Sequence, residues 1–139
     1  MGLTLQADVV VGGEVRARML RAHEPLSFWG GYDAATGEII DRRHPLSGQR
    51  AAGHVLVLPG SRGSSTGTAI LLEAVRTGQA PAALVTDGRD TFFALAAIVA
   101  RLMYGRSFVV LWVEGADLAR LPDAALVHID LHGTITVEP

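Results

Sequence analysis

The sequence predicts an α/β domain with a largely parallel central sheet and antiparallel strands added to it. Its length, 139 residues, suits one domain and leaves no room for two. From His54 onward, short apolar β-type runs alternate with helical segments, as in βαβ units. Near both ends of the chain, alternating runs flank Gly12-Gly13 and His132-Gly133, which read as hairpin turns. No repeat, low-complexity tract or linker interrupts the pattern.

Taken in order, Val9 to Val11 and Val15 to Leu20 read as a half-exposed hairpin, with Val15, Ala17 and Met19 on one face and Arg16 and Arg18 on the other. Leu26 to Leu46 carries four glycine and proline breaks with a short strand expected at Ile39 and Ile40, and its aromatics argue against disorder. His54 to Leu58 is a buried-type strand, Pro59 to Thr68 a glycine-rich loop, and Ala69 to Thr77 a helix stopped by Gly78. Ala83 to Thr86 is the next strand. Asp90 is the expected N-cap of a helix from Thr91 to Tyr104 ending at Gly105, followed by a strand at Phe108 to Val113. Ala125 to Leu131 and Thr134 to Val137 close the chain as a hairpin at the sheet edge. The helix at 91–104 is apolar nearly all round. Either two layers sandwich it inside the domain or part of its surface meets another chain.

Composition removes several chemistries. The formal net charge of -2 provides no field for a phosphate backbone or an anionic membrane, so neither nucleic acid nor membrane is an expected partner. All 12 basic residues are Arg and the chain holds no Cys, which excludes a Schiff-base lysine, a thiolate nucleophile and any cysteine-held metal or cluster in this chain. An all-Arg set is also what codon bias in a GC-rich genome produces. The longest apolar run, Phe92 to Ala100, falls well short of the roughly 20 residues of a membrane-spanning helix. Met1 to Val11 lacks the basic start and long apolar stretch of a signal peptide, so the expected location is the cytoplasm.

The segment Gly60 to Thr68 lies between a strand end and a helix start. Glycine lets the backbone approach a ligand there, and the first N–H groups of a helix, with its dipole, favour an anion. Arg62 adds a forked donor, and Ser64 and Ser65 add hydroxyls. The competing reading is that Ser64, Ser65 and Thr66 only cap the helix. His128, Asp130 and His132 alternate like a ligand set, but with Val127, Ile129 and Leu131 opposite them a solvated edge hairpin is the simpler reading, and no metal site is expected. Asp41 and His44 either touch substrate or order their loop. Trp29 reads as a loop anchor or a subunit contact, and Asp87 and Arg89 follow a strand end where ligands gather, although Asp-Gly is also an ordinary turn.

Ser27-Phe28-Trp29-Gly30-Gly31-Tyr32-Asp33, Thr36-Gly37-Glu38-Ile39-Ile40-Asp41 and His44-Pro45 resemble the small swivel subunit of the aconitase X family. Gly63-Ser64-Ser65, Leu71-Leu72-Glu73-Ala74, Gly78, Ala80-Pro81-Ala82-Ala83, Ile98-Val99-Ala100 and Tyr104-Gly105 continue the likeness over roughly residues 8 to 113. The resemblance implies a swivelling β/β/α domain and a hydro-lyase whose separate large subunit supplies cysteines for an iron or iron–sulfur centre. Family members dehydrate cis-3-hydroxy-L-proline or (R)-5-phosphomevalonate. Carried over by the Gly-Ser-Ser motif, Ser64 would be the base and Ser65 its backbone-donating neighbour, with Arg62, Gly63, Thr66, Asp41 and His44 around a small hydroxy acid. In aconitase-like enzymes an arginine follows the two serines, where this chain has Thr66 and Gly67. Whether Arg62 does that arginine's task is left open by the sequence. The alternative to an enzyme subunit is a non-catalytic module that holds an anion or a protein on the same scaffold.

Overall fold

Alternation along the parallel strands divides the interior into two cores. The computed structural model describes residues 3–60, 66–88 and 90–138, with the backbone alone at Thr66. Its elements are β1 (Thr4–Gln6), β2 (Asp8–Val11), β3 (Val15–Arg21), β4 (Val55–Leu58), α1 (Thr66–Thr77), β5 (Ala83–Asp87), α2 (Thr91–Tyr104), β6 (Val109–Val113), α3 (Gly115–Leu118), β7 (Leu126–Ile129) and β8 (Thr134–Val137). Because successive side chains point to opposite faces, Val55, Val57, Ala83, Val85 and Leu111 line one core with Met19, Ile129 and Ile135. Leu56, Leu58, Leu84 and Val110 point the other way, under α1, α2 and the 22–51 segment.

The strands form one sheet in the order β1-β8-β7-β3-β4-β5-β6-β2. Neighbours from β3 to β6 run parallel. The other pairs are antiparallel. β1 and β2 occupy opposite edges although only Ala7 separates them in the chain. The sheet must therefore curl until its edges meet, which makes it a near-barrel around the first core. Ala7 donates its N–H to the Gly133 carbonyl at 3.0 Å at this seam. Gly133 has φ +81°, and a methyl there would come within 2.6 Å of Val9 Cγ2 and 3.0 Å of the Ala7 carbonyl oxygen, so only glycine fits.

Several expectations need correction. β2 and β3 do not form a hairpin: β2 pairs with β6 from Asp8↔Trp112, and β3 pairs with β4 and β7. Gly12 and Gly13 lack the positive φ that a two-residue hairpin turn demands, and Gly13 lies where a methyl would meet Val109 Cγ2 at 2.9 Å. β1 and α3, three and four residues long, were not foreseen. The stretch at Ile39 and Ile40 makes only the isolated bridges Tyr32↔Ile39 and Glu38↔Arg50. α1 starts at Thr66 instead of Ala69. The β7–β8 hairpin is not at an edge, since β3 and β1 flank it, and Leu131, 65% exposed, leaves the buried face.

α2 has the expected bounds. Asp90 Oδ1 accepts from the N–H groups of Phe92 and Phe93, each at 3.1 Å, and Gly105 ends the helix in the left-handed region with φ 70°. The sandwiched arrangement is not what the fold adopts. Ala96, Ala97 and Ala100 face inward at 0% exposure, while Leu95, Ile98, Leu102 and Met103 face out. Small residues let α2 approach α1 and the sheet closely. Among the described residues no helix is long and apolar enough to cross a membrane.

Candidate functional site

The parallel strands β3 to β6 end on one edge of the sheet, and α1 and α2 begin there. Ligands gather at that edge in open α/β sheets because the loops and helix N-termini converge on it. The loops after β4 and β5 stand side by side: a methyl on Gly60 would lie 3.4 Å from Asp90 Oδ2. Thr86, fully buried at the end of β5, donates its hydroxyl to the Gly88 carbonyl at 3.1 Å and so pins the start of that second loop. Asp87 meets α3 instead, with Oδ2 only 2.9 Å from where a methyl on Gly115 would be.

A third wall comes from the Ser27 to Tyr32 loop. The Phe28 ring sits 5.1 Å from Tyr32 and 5.3 Å edge-on from Phe93 of α2, which locks the loop to the helix layer. A methyl on Gly67, in the first turn of α1, would lie 3.5 Å from Phe28 Cβ and 3.9 Å from the Trp29 backbone nitrogen. That packing explains why the helix reaches back to Thr66 through residues that read locally as loop: tertiary contact outweighs weak propensity. The same segment then follows α1 to its other end, where Thr77 Oγ1 donates to Ala34 O at 2.5 Å and the Tyr32 hydroxyl to Gln79 O at 2.6 Å. Burial holds the Tyr32 phenol well above its ordinary pKa, so this donor stays protonated.

Arg62, Gly63, Ser64 and Ser65 lie outside the described residues, as do the Thr66 side chain and Arg89. The structure places their frame: Gly60 beside Asp90 at one end and the first turn of α1 at the other. Asp41 Oδ1 accepts from the Arg43 N–H at 3.0 Å, and its carbonyl accepts from the His44 N–H at 3.1 Å. His44 is buried; Nδ1 accepts from the Leu46 N–H at 3.1 Å, which puts the ring proton on Nε2, where it is donated to Glu24 O at 3.3 Å. Both residues thus hold their own loop together.

Two of the alternating trio on the last hairpin have separate tasks. His128 pairs with Glu14, Nε2 to Oε1 at 3.0 Å. Asp130 Oδ1 accepts from the backbone N–H groups of His132 at 2.9 Å and Thr134 at 3.0 Å. Those bonds, Thr134's foremost, hold the Asp130 carboxyl below the usual range. Among the described residues no three His, Asp or Glu side chains stand together as metal ligands, and the sequence has no Cys.

Sequence reasoning gave Asp90 only a capping role and missed its place beside Gly60. It also missed that Trp29 borders α1. The signal for Asp90 was topological, since it and Gly60 follow neighbouring parallel strands.

A family model described as the aconitase X swivel domain matches residues 4–137. The cis-3-hydroxy-L-proline dehydratase of Pseudomonas aeruginosa is 43% identical over 127 residues, covering 88% of this chain and 22% of that protein. The chain thus spans about a fifth of that relative's length. The phosphomevalonate dehydratase small subunit of Thermococcus onnurineus is 30% identical over 137 residues, 98% of this chain and 99% of that one. The crystal structure of Thermococcus kodakaraensis aconitase X in its holo form superposes with a TM-score of 0.87 at 27% identity, over 99% of both chains. A match that runs from β1 through β8, on the same near-barrel with the same helix layer, makes this chain a member of the aconitase X swivel-domain family.

Proposed function

We propose that this chain is the small subunit of an aconitase X-type hydro-lyase that dehydrates a small hydroxy acid, such as cis-3-hydroxy-L-proline or (R)-5-phosphomevalonate, at a site shared with a large subunit. One observation carries the reading: the Gly-Ser-Ser segment joins β4 to α1 at the sheet edge where α2 also begins. The iron or iron–sulfur group of such an enzyme belongs to the partner, whose cysteines would hold it.

Dehydration removes a proton from the carbon beside a carboxylate and expels hydroxide from its neighbour, leaving a double bond and water. Ser64 is the base in this reading. A serine hydroxyl is a poor base in water, so its alkoxide needs several N–H donors and the positive end of a helix dipole; α1 begins at Thr66, two residues after Ser64 in the sequence. Arg62 offers the fork for the substrate's carboxylate or phosphate, with Gly63, Ser65 and Thr66 completing the cradle. The Asp90 carboxylate caps α2 beside Gly60, its Oδ1 accepting from the N–H groups of Phe92 and Phe93. Asp41 and His44 keep the 36–51 loop folded.

The test is to co-express the chain with the aconitase X large subunit of the same genome and assay both dehydrations. Ser64→Ala should lower kcat by about 10²–10⁴-fold with the complex intact. Full activity in that variant removes the base, and absence of any complex leaves the non-catalytic module as the better reading.

A further inference from the structure

Of the 5 histidines only His44 is buried, at 7% exposure. Both of its ring nitrogens meet backbone: the Leu46 N–H donates to Nδ1 at 3.1 Å, and Nε2 donates to Glu24 O at 3.3 Å. A ring so placed is neutral, because Nδ1 accepts only while it carries no proton. An imidazolium donates from both nitrogens. The bond to Glu24 therefore survives protonation, whereas the contact with Leu46 becomes two N–H groups aimed at each other. One proton breaks one identified bond and leaves the Leu46 N–H without its acceptor.

A chain of other bonds starts from that one. Leu46 is buried in the helix-side core with Leu26 and Ile39. The turn is closed by the Ser47 N–H to His44 O and the Gln49 N–H to Leu46 O, each at 3.0 Å. Gly48 then donates to Ile39 O at 2.8 Å, Ile39 to Gln49 O at 2.9 Å, and Ile40 to Gly31 O at 2.9 Å. Gly31 belongs to the Ser27 to Tyr32 loop that packs on the first turn of α1. Neither ring nitrogen meets a carboxylate that would favour a positive charge. The ionisable residues of the two segments are Asp41, Arg42 and Arg43 beside His44, and His23 and Glu24 across from it. Asp41 Oδ1 is engaged by the Arg43 N–H, and the side chains of the other four are exposed, where water screens them.

We propose that His44 is a proton-operated latch: its neutral ring holds the 36–51 loop, and through it the wall beside α1, and protonation at Nδ1 releases both. The latch needs neither substrate nor partner, so it can be followed in the 139-residue chain alone, apart from any test of the hydro-lyase reading. Amide hydrogen exchange by NMR, corrected for the intrinsic pH dependence of exchange, is read beside the titration of the His44 ring protons. As His44 takes up its proton, the Leu46 amide should lose protection roughly tenfold or more, with Ile39, Ile40 and Gly48 following. Val57 and Val85, paired in the parallel strands, should keep theirs. His44→Asn supplies the comparison, because an asparagine Oδ1 accepts from the N–H two residues on, as Nδ1 does here, and takes up no proton. In that variant Leu46 protection should not change over the same pH range.

A Leu46 amide that keeps its protection while the ring titrates overturns the latch. An acid-induced loss of the same size in His44→Asn overturns it as well, since the sensitive group then lies elsewhere. A ring that stays neutral until Val57 and Val85 also exchange has the same consequence, because the fold then opens as a whole. Should His44→Asn not fold, the contrast between Leu46 and Val57 in the wild-type chain decides by itself.

Discussion

At Asp130 a single carboxylate shapes the β7–β8 turn, because its Oδ1 accepts two backbone N–H groups. Its folded pKa lies below the ordinary aspartate value, so the turn is stabilised above that value and loses the support as pH falls through the lower folded one. A chemical-shift titration of the Thr134 and His132 amides should give an acid midpoint below that of an exposed aspartate. A midpoint at or above it would contradict the geometry. The residue scale is also where sequence left roles open. Asp41 and His44 sit in a recognisable motif, yet nothing in the motif says whether a ring nitrogen meets substrate or backbone. His44 meets backbone through both of its nitrogens. Its letters could not reveal this because the partner carbonyl, Glu24, is 20 residues away.

Helix α2 shows what an element's sequence can and cannot specify. Its ends were legible, since Asp90 and Gly105 have the side chain and the conformational freedom that caps require. Its inward face was not, because a helix that is apolar all round has no polar side to orient it. Size decides instead: alanines pack against α1 and the sheet, and the large side chains stay outside. Leu95→Glu should accordingly change stability by no more than about 0.5 kcal/mol. Ala97→Leu, at a position with 0% exposure, should cost about 1–3 kcal/mol through overpacking. Urea denaturation of the two variants checks the assignment, and the reverse ranking would mean that the helix is turned the other way.

At the scale of the whole molecule, curling brings the two sheet edges together at Ala7. β1 is only three residues long, yet Leu5 within it is 4% exposed and lies in the barrel core. Leu5→Ala should therefore destabilise the protein by about 2–4 kcal/mol, as for a core leucine. Chemical denaturation showing a loss below about 0.5 kcal/mol would make β1 a dispensable arm. The same closure gives the site its setting, because it leaves the helices on the outer face of the parallel strands with their N-termini at one edge.

By itself the sequence determined the α/β class, the alternation from His54 onward and the caps of α2. These are local properties, set by side-chain periodicity, capping chemistry and backbone freedom over a few residues. Tertiary structure alone decided that β2 leaves β3 to pair with β6 across a hundred residues, that α2 turns its alanines inward, and that Trp29 and Asp90 border the glycine-rich segment. The reason is that a period of two tells a strand which face to bury but not which strand to lie beside. That choice belongs to contacts between segments far apart in the chain.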